Sequence, residues 1–415
     1  MFPPEFQPMP DPRRASHPLL PRLLILSSEA PQTTTAGGIV LLRQLAQYPT
    51  DRVLVVTNRL PPPGAQRLGC RHVHLPLRAD RLNRTRFWTW KATLRAWGGP
   101  DWLSLGPIDR ALDAFRPDVV ATLMQDSWYY DLAARYARRR NLPLVLFIHD
   151  LPCGFEPVVP WLRKRQRARD ESVYRQAAAR LCVSPGMVEW FRGEFGIDGE
   201  ALLPPRSDQP VAQSPDACDQ LRQPGVLTLG FAGGLHYGYG EQLLRMLPVL
   251  RETKTKVELF GPKPSGMVSA LREATDVCRF NDYLSPPEAA WRELVRRCDV
   301  VLQPYLNPPG PHELQYRTHF PSKLGDCLSL GIPLLITGPA HASGVDWCQR
   351  HPGCAEVVTD SALPALAAAL VRLRDDAGLR TALATRAQAA ARAFSGEQVR
   401  QRLHTILGTF APRHP

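Results

Sequence analysis

The chain has 415 residues, which is long enough for two domains at the usual ~100–200 residues per domain. Hydrophobic residues make up 44% of it and charged residues 22%, which excludes a largely disordered or fibrous protein. The formal net charge is +12, and residues 52–95 carry ten basic side chains against one acidic side chain, Asp80. This excess of basic residues either binds an anionic partner or reflects a compositional bias. The bias is suggested by arginine, which outnumbers lysine 45 to 6.

The apolar runs are short. The longest, such as 23–26 and 332–336, fall far below the ~18–20 residues that cross a bilayer, and no charged-then-apolar leader precedes them. Nine cysteines occur without any Cys-x-x-Cys pair, which is typical of reduced thiols. We therefore predict a cytoplasmic protein with no membrane span and, since the Cys/His spacing of zinc sites is also missing, no metal.

Strand-like runs alternate with amphipathic stretches along the first half of the chain. Proline recurs through residues 1–21, where we predict a flexible tail. The predicted strands then lie at 23–26, 53–57, 119–123, 144–148 and 180–183, with helices at 39–45, 130–139 and 187–195. This alternation predicts a parallel sheet wrapped by helices, forming a first domain over 22–204.

The second half repeats this architecture after a polar, proline-rich stretch at 205–225, which we predict to be a linker. Predicted strands follow at 227–232, 256–260, 300–302 and 333–337, with helices at 241–251, 287–297, 322–330 and 363–394. The fold class is therefore α/β, with a second Rossmann-like domain over 226–395. A C-terminal helix and tail over 396–415 could pack back on the first domain.

Glycines follow the first strand of each predicted domain. Gly37 and Gly38 stand directly before a helical pattern, where backbone N–H groups can approach a phosphate or a sugar, although a tight turn is the alternative. Gly233 and Gly234 occupy the equivalent loop of the second half. Their spacing is not Gly-x-Gly-x-x-Gly, so a dinucleotide-binding domain is not favoured.

The sharpest motif is FPSKLGDCLSLGIPLL at residues 320–335. Its Pro-Ser pair can start a helix and Gly331 can end it, which places Lys323 and Asp326 on one face of the first turn. A cation that reaches phosphate oxygens and a carboxylate that accepts two vicinal hydroxyls are what a nucleotide's diphosphate and ribose require. The alternative is a surface ion pair between the two side chains.

His149 ends the apolar run 144–148 and is followed by Asp150. We expect it at the carboxyl edge of a parallel strand, where such sheets bind ligands. A capping or turn role is the alternative.

This order of elements resembles the GT-B glycosyltransferases, specifically the glycosyltransferase family 4 branch with Pro-x-Lys-x-x-Glu followed by a small-residue helix and Gly-x-Pro. The resemblance covers roughly residues 22–410 and includes the segments 147–150, 231–240, 299–304 and 320–335. It implies two Rossmann-like domains that face a central cleft, and a UDP- or GDP-linked sugar as the donor substrate. It also implies retention of anomeric configuration and no metal or cofactor.

Matched position by position, the resemblance implies roles for single residues. Asp326 takes the place of the family's ribose-binding glutamate, and Lys323 that of a lysine at the diphosphate. The loop residues Gly233, Gly234 and His236 would complete the donor site.

In the first domain, the resemblance makes His149 the active-site histidine, with Asp150 beside it. A neutral imidazole could hydrogen-bond the transferred sugar, and a protonated one could favour the charge that develops on the departing diphosphate. Gly37 and Gly38 would lie beside the donor sugar or the acceptor.

The chain departs from the family pattern at two places. The family's common Arg and Lys in the first loop of the second domain correspond to Gly234 and Tyr239, so either the motif lysine and backbone amides hold the diphosphate or donor binding is weak. The first glutamate of the family's Glu-x7-Glu pair corresponds to Thr318, with Glu313 or Arg317 as substitutes near the donor sugar.

We therefore expect a metal-independent, retaining hexosyltransferase that acts on a glycan or lipid-linked acceptor in polysaccharide or glycoconjugate biosynthesis. The basic aromatic stretches 84–105 and 161–169, with Arg84, Arg86, Lys91 and Arg95, indicate contact with an anionic membrane surface at the inner face. A helix with buried tryptophans is the alternative there, and no nucleic-acid module is recognisable. The alternative functions are a non-catalytic, glycosyltransferase-like assembly or binding protein and a GT-B sugar-nucleotide epimerase.

Overall fold

The computed structural model describes residues 20–77, 80, 88–98, 105–112, 115–152, 158–209, 211, 223–262, 266–282, 284 and 286–412. Nearly all of the predicted tail, most of the predicted linker, and Arg84, Arg86 and Trp102 of the predicted membrane surface lie outside the described residues.

The first half folds into a seven-stranded sheet whose described strand pairs are all parallel. Its strands are β1 (Leu23–Leu26), β2 (Val53–Thr57), β3 (Arg71–His74), β4 (Val119–Leu123), β5 (Leu144–Ile148), β6 (Ala179–Cys182) and β7 (Glu200–Ala201), in the order β3-β2-β1-β4-β5-β6-β7. The central strands β1, β2, β4 and β5 are buried at every residue, which is why each reads as an unbroken apolar run. The order reverses between β1 and β4, and this opens a crevice at the carboxyl edge of the sheet.

The second half forms a six-stranded sheet, again with parallel pairs. Its strands are β8 (Leu227–Ala232), β9 (Thr255–Phe260), β10 (Cys278–Asn281), β11 (Val300–Pro304), β12 (Leu334–Thr337) and β13 (Glu356–Val358), in the order β10-β9-β8-β11-β12-β13. Both sheets therefore share one doubly wound order, and the predicted pair of Rossmann-like units is confirmed.

Helices cover the faces of both sheets. Within the described residues they are α1 (Ala36–Leu45), α2 (Trp88–Trp97), α3 (Gly106–Leu112), α4 (Ser127–Arg140), α5 (Arg163–Gln176), α6 (Pro185–Phe195), α7 (Tyr239–Glu252), α8 (Pro287–Arg297), α9 (Glu313–Thr318), α10 (Leu324–Ser329), α11 (Ser343–Arg350), α12 (Leu363–Asp375), α13 (Ala377–Ala390) and α14 (Gly396–Gly408). The single helix predicted over 363–394 is two helices, because Asp376 adopts extended backbone and caps α13 through its side chain. None of the described helices is long and apolar enough to span a membrane.

The last helix, α14, returns to the first domain. It packs against α1, and its apolar residues Val399, Leu403 and Leu407 join the core beneath β1 and β2. Helix α14 therefore lies close to α1, the helix that follows β1.

Helix α2 turns its described basic side chains inward, whereas we predicted that they face a membrane. Lys91 Nζ lies 2.7 Å from Asp126 Oδ2. Arg95 is fully buried, with Nε 2.8 Å from Asp131 Oδ2 and Nη1 2.7 Å from Asp170 Oδ1. The prediction is wrong for these two residues, because Asp80, the N-cap residue of α4 and acidic side chains within α4 and α5 pair with them inside the first domain.

Candidate active site

Two adjoining cavities lie between the carboxyl edges of the two sheets. The larger, of about 470 Å³, is bounded by both domains, and the smaller, of about 170 Å³, is a largely apolar slot. Apolar side chains of the second domain line the slot: Phe260, Leu284, Pro287, Ala290 and Trp291. The two cavities share four lining residues: Ala36, Gly233, Ser322 and Lys323. Lys323 therefore stands where the slot opens into the cleft.

Lys323 presents the ammonium group of a half-buried side chain at this junction. Its Nζ donates to the carbonyl oxygen of Ala232 at 2.9 Å and lies 3.7 Å from the centroid of the Phe231 ring. No carboxylate among the described residues pairs with it. Burial lowers the pKa of Lys323 to about 8, so most of the group is still protonated at neutral pH. A buried cation without an acidic partner is a suitable site for an anion.

In the loop after β8, the His236 ring occupies the space that a side chain would need at the position of the family's arginine. A Cβ on Gly234 would lie 2.4 Å from the His236 ring, which fills the space above the backbone. Burial, and then the charge of Lys323, lower the pKa of His236. The ring of Tyr239, at the position of the family's lysine, lies 5.3 Å from Lys323 Nζ. Lys323, His236 and the loop glycines are thus brought together as the sequence predicted.

Asp326 lies one turn beyond Lys323 but does not pair with it. Its Oδ2 accepts from Arg43 Nη1 at 2.8 Å, and its Oδ1 accepts from the Ser207 amide at 2.7 Å. Burial raises the pKa of Asp326, and Arg43 opposes this shift. The surface ion pair that the sequence left open is therefore absent, and Asp326 faces the apolar slot. Its role toward ribose stays a prediction.

His149 lies at the end of β5 and lines the larger cavity. Both ring nitrogens are shielded from solvent and have no partner among the described residues. Burial lowers the pKa of His149 to about 4, so the imidazole is neutral at physiological pH. Of the two charge states that the sequence left open, the neutral one fits the structure.

Asp150 has a different histidine as its partner. Its Oδ1 lies 3.0 Å from His319 Nδ1, and His319 Nε2 accepts from the Leu151 amide at 3.2 Å. Because the Leu151 amide donates to Nε2, the Nδ1 side of the His319 ring is the one that faces Asp150. This contact joins the end of β5 to the segment between α9 and α10.

The glycine pair after β1 lies in the first turn of α1. Gly38 has no space for a side chain, since a Cβ would lie 2.7 Å from Thr35 Oγ1 and 2.8 Å from the Ala30 carbonyl oxygen. Gly37 lines the larger cavity at the first turn of α1.

The family model of the glycosyl transferase 4-like domain matches residues 40–205. No curated protein sequence matches the chain. HepE of Anabaena, solved with UDP-glucose, aligns with a TM-score of 0.64 at 13% identity over 93% of this chain and 99% of its own. The chain has the GT-B fold. WaaG, a glycosyltransferase involved in lipopolysaccharide biosynthesis, aligns with a TM-score of 0.59 at 13% identity over 93% of this chain and 99% of its own. A glycosyltransferase of Rickettsia africae aligns with a TM-score of 0.60 at 10% identity over 94% of this chain and 98% of its own. These matches confirm the resemblance to the family 4-like GT-B glycosyltransferases.

The structure places two predicted residues outside the GT-B cleft. Arg317 pairs with Glu313, and the Thr318 hydroxyl donates to the Leu314 carbonyl oxygen at 2.9 Å. Both residues line a separate groove together with α6 and α11. His319, the next residue along the chain, lines the cleft instead.

Besides Thr35, three polar residues on the first-domain wall of the GT-B cleft were not predicted: Glu29, Arg59 and Gln125. Burial raises the pKa of Glu29, whose carboxylate accepts from Thr35 Oγ1 and Gln32 Nε2. Each of the three follows shortly after β1, β2 or β4. The strand-end rule that selected His149 could therefore have found them.

Proposed function

We propose that the protein is a retaining glycosyltransferase that moves a hexosyl group from a UDP- or GDP-linked donor to a hydroxyl of its acceptor. The observation that carries this proposal is the order in which apolar, cationic and polar surroundings follow each other along the two cavities. An apolar slot suits a nucleoside, the unpaired ammonium of Lys323 suits the diphosphate, and the cleft beyond it, lined by His149, suits the sugar.

The proposed reaction needs no protein nucleophile and no cofactor. The bond between the anomeric carbon and the diphosphate oxygen breaks, and the acceptor oxygen bonds to that carbon on the same face. The acceptor proton passes to an oxygen of the leaving diphosphate. Lys323 and the Gly234 amide stabilise the charge on the leaving group, since the Gly233 amide already donates to the Phe260 carbonyl oxygen at 2.8 Å, and the neutral His149 ring hydrogen-bonds the sugar.

Calorimetry and thermal unfolding with UDP, GDP and ADP test the donor half of this proposal. A bound nucleotide at ~100 times its Kd should stabilise the protein by about 2.7 kcal/mol. Release of nucleoside diphosphate that depends on an acceptor separates a transferase from an epimerase and from a non-catalytic binding protein, and the product's anomeric configuration tests retention. Failure of all three nucleotides to bind would contradict the proposal.

For the acceptor we propose a glycan or a lipid-linked glycan that is met at an anionic membrane surface on the cytoplasmic side. Trp90 and Trp97, two turns apart on α2, are 53% and 60% exposed, and Trp161 beside them is 73% exposed. Residues 163–165 are exposed, basic and without a described carboxylate partner. Exposed tryptophans beside free cations are typical of membrane-interface contacts.

Vesicle flotation tests this surface. Replacing Trp90, Trp97 and Trp161 with Ala should release the protein from anionic vesicles while turnover on a soluble acceptor stays unchanged. Replacing the exposed Lys254 and Lys256 of the second domain with Glu is the matched control and should leave vesicle binding intact. Binding that is equal on neutral vesicles, or self-association through the same tryptophans, would contradict it.

A further inference from the structure

Arg43 reaches from the first domain to two carboxylates of the second. Its Nη1 lies 2.8 Å from Asp326 Oδ2, and its Nη2 lies 3.1 Å from Glu288 Oε1. The same Nη1 also donates to the Pro205 carbonyl oxygen at 3.2 Å, on the chain segment that crosses between the domains. All three charged side chains are at most 12% exposed. The guanidinium is therefore the only described group that neutralises both carboxylates.

Helix α1 forms one wall of the apolar slot. Ala36, Ile39 and Arg43 follow each other at helical spacing and line it from the first domain, opposite Trp291 and Asp326 of the second. The slot is therefore complete only when the two domains stand as they do here.

The contacts of Asp326 leave it able to accept more hydrogen bonds. A carboxylate offers about four acceptor positions, two on each oxygen. Arg43 occupies one position on Oδ2 and the Ser207 amide one on Oδ1. One position remains on each oxygen, which matches two vicinal hydroxyl groups.

We propose that Arg43 is a positioning residue for the ribose of the donor. It holds Asp326 in one orientation and neutralises its repulsion with Glu288, so that both oxygens can accept the ribose hydroxyls. Because Arg43 belongs to the first domain, ribose recognition depends on the approach of that domain. The inference rests on the proposed nucleotide-sugar donor.

The test is how strongly the protein discriminates a nucleoside diphosphate from its 2′,3′-dideoxy analogue. Calorimetry would first identify which of UDP, GDP and ADP binds the wild-type protein most tightly. We expect the dideoxy analogue of that nucleotide to bind about 10- to 100-fold more weakly, because hydroxyl bonds to a charged acceptor are lost. In Arg43→Met and in Asp326→Asn this ratio should fall to about threefold or less.

A structural role would lower both affinities and leave the ratio unchanged. Arg400→Met is the matched control, because Arg400 is a second buried arginine of this interface that bonds the Arg43 carbonyl oxygen and Asp208 but not Asp326. It should keep the wild-type ratio. Arg43→Lys, which can reach only one carboxylate, should give a ratio between those of the wild type and Arg43→Met, and it serves if Arg43→Met does not fold.

Each outcome decides one of the two proposals. An unchanged ratio in Arg43→Met, or tighter binding of the nucleotide by that variant, would overturn the role of Arg43 and leave the proposed function standing. If the wild-type protein binds none of the three nucleotides, the proposed donor itself is wrong.

Discussion

Raising the pH through 8 should weaken the binding of a nucleoside diphosphate, because the ammonium group of Lys323 then loses its proton. Burial lowers the pKa of this group to about 8, and among the described residues no carboxylate stabilises its charged form. A bound diphosphate would supply that missing negative charge. Binding should therefore be coupled to protonation of Lys323.

The size of the effect follows from the charged fraction of the lysine. With a pKa of about 8, the charged form outnumbers the neutral form about tenfold at pH 7 and is outnumbered about tenfold at pH 9. If the diphosphate binds only the charged form, its affinity should fall about tenfold between these pH values, or by about 1.4 kcal/mol. His236 does not add to this change, because its lowered pKa keeps it neutral throughout that range.

Calorimetric titration at pH 7, 8 and 9 measures the change directly. Lys323→Arg keeps a charge at every pH and should bind without pH dependence, whereas Lys323→Met should bind weakly and also without pH dependence. The nucleoside without phosphate should bind the wild-type protein equally at all three values. A wild-type affinity for the diphosphate that does not change from pH 7 to 9 would refute the reasoning.

Lys323 should also make the stability of the unliganded protein depend on pH, with a change opposite in direction to that of the nucleotide affinity. Its pKa is lower in the folded state than the ~10.4 of an unfolded chain, so between about pH 8 and 10.4 the unfolded state binds more protons. The stability of the wild-type protein relative to Lys323→Met should therefore rise with pH in this window, while nucleotide affinity falls.

Three further substitutions separate chemistry from structure. His149→Ala should lower turnover about 100-fold while donor affinity stays within about twofold, since the neutral ring lines the cavity in which we propose that the sugar binds; kinetics beside calorimetry would show this, and a matching loss of affinity would contradict it. Arg95→Met should destabilise the first domain by about 3–5 kcal/mol in denaturant unfolding, because Asp131 and Asp170 would stay buried without their cation; a loss below about 1 kcal/mol would contradict it. Gly186→Ala should lower turnover about 100-fold and destabilise the protein by about 1–3 kcal/mol, because its Cβ would lie 2.2 Å from the carbonyl oxygen of residue 317 and the backbone there would have to move; wild-type turnover would contradict it.

The central strands could be predicted from the sequence because burial on both faces makes them unbroken apolar runs. The strands that were missed, β3, β7, β10 and β13, are two to four residues long and partly exposed. They lie at or near the sheet edges, where neither an apolar run nor a regular alternation marks them.

The residues that line the cleft could be predicted where their signal is local. Lys323 stands in a helix-start motif, and His149 directly follows an apolar strand. The partners of these elements gave no such signal, since Arg43 and Asp326 are 283 residues apart and Leu151 and His319 are 168 apart. For the same reason, the sequence did not show that α2 turns its cations inward. Most of the acidic residues that pair with these cations lie at the start of α4 or within α4 and α5.

The departures from the family pattern in the loop after β8 form one connected change. Gly234 leaves the space that the His236 ring fills, so an arginine at 234 could not be restored without moving that ring. The aromatic ring of Tyr239 faces the remaining cation, and a second lysine there would repel Lys323 in a buried setting. Lys323 is therefore able to keep its charge close to neutral pH because the loop carries rings and glycines. A site built on one titratable cation should bind its donor in a pH-dependent manner, and a site with a permanently charged arginine should not.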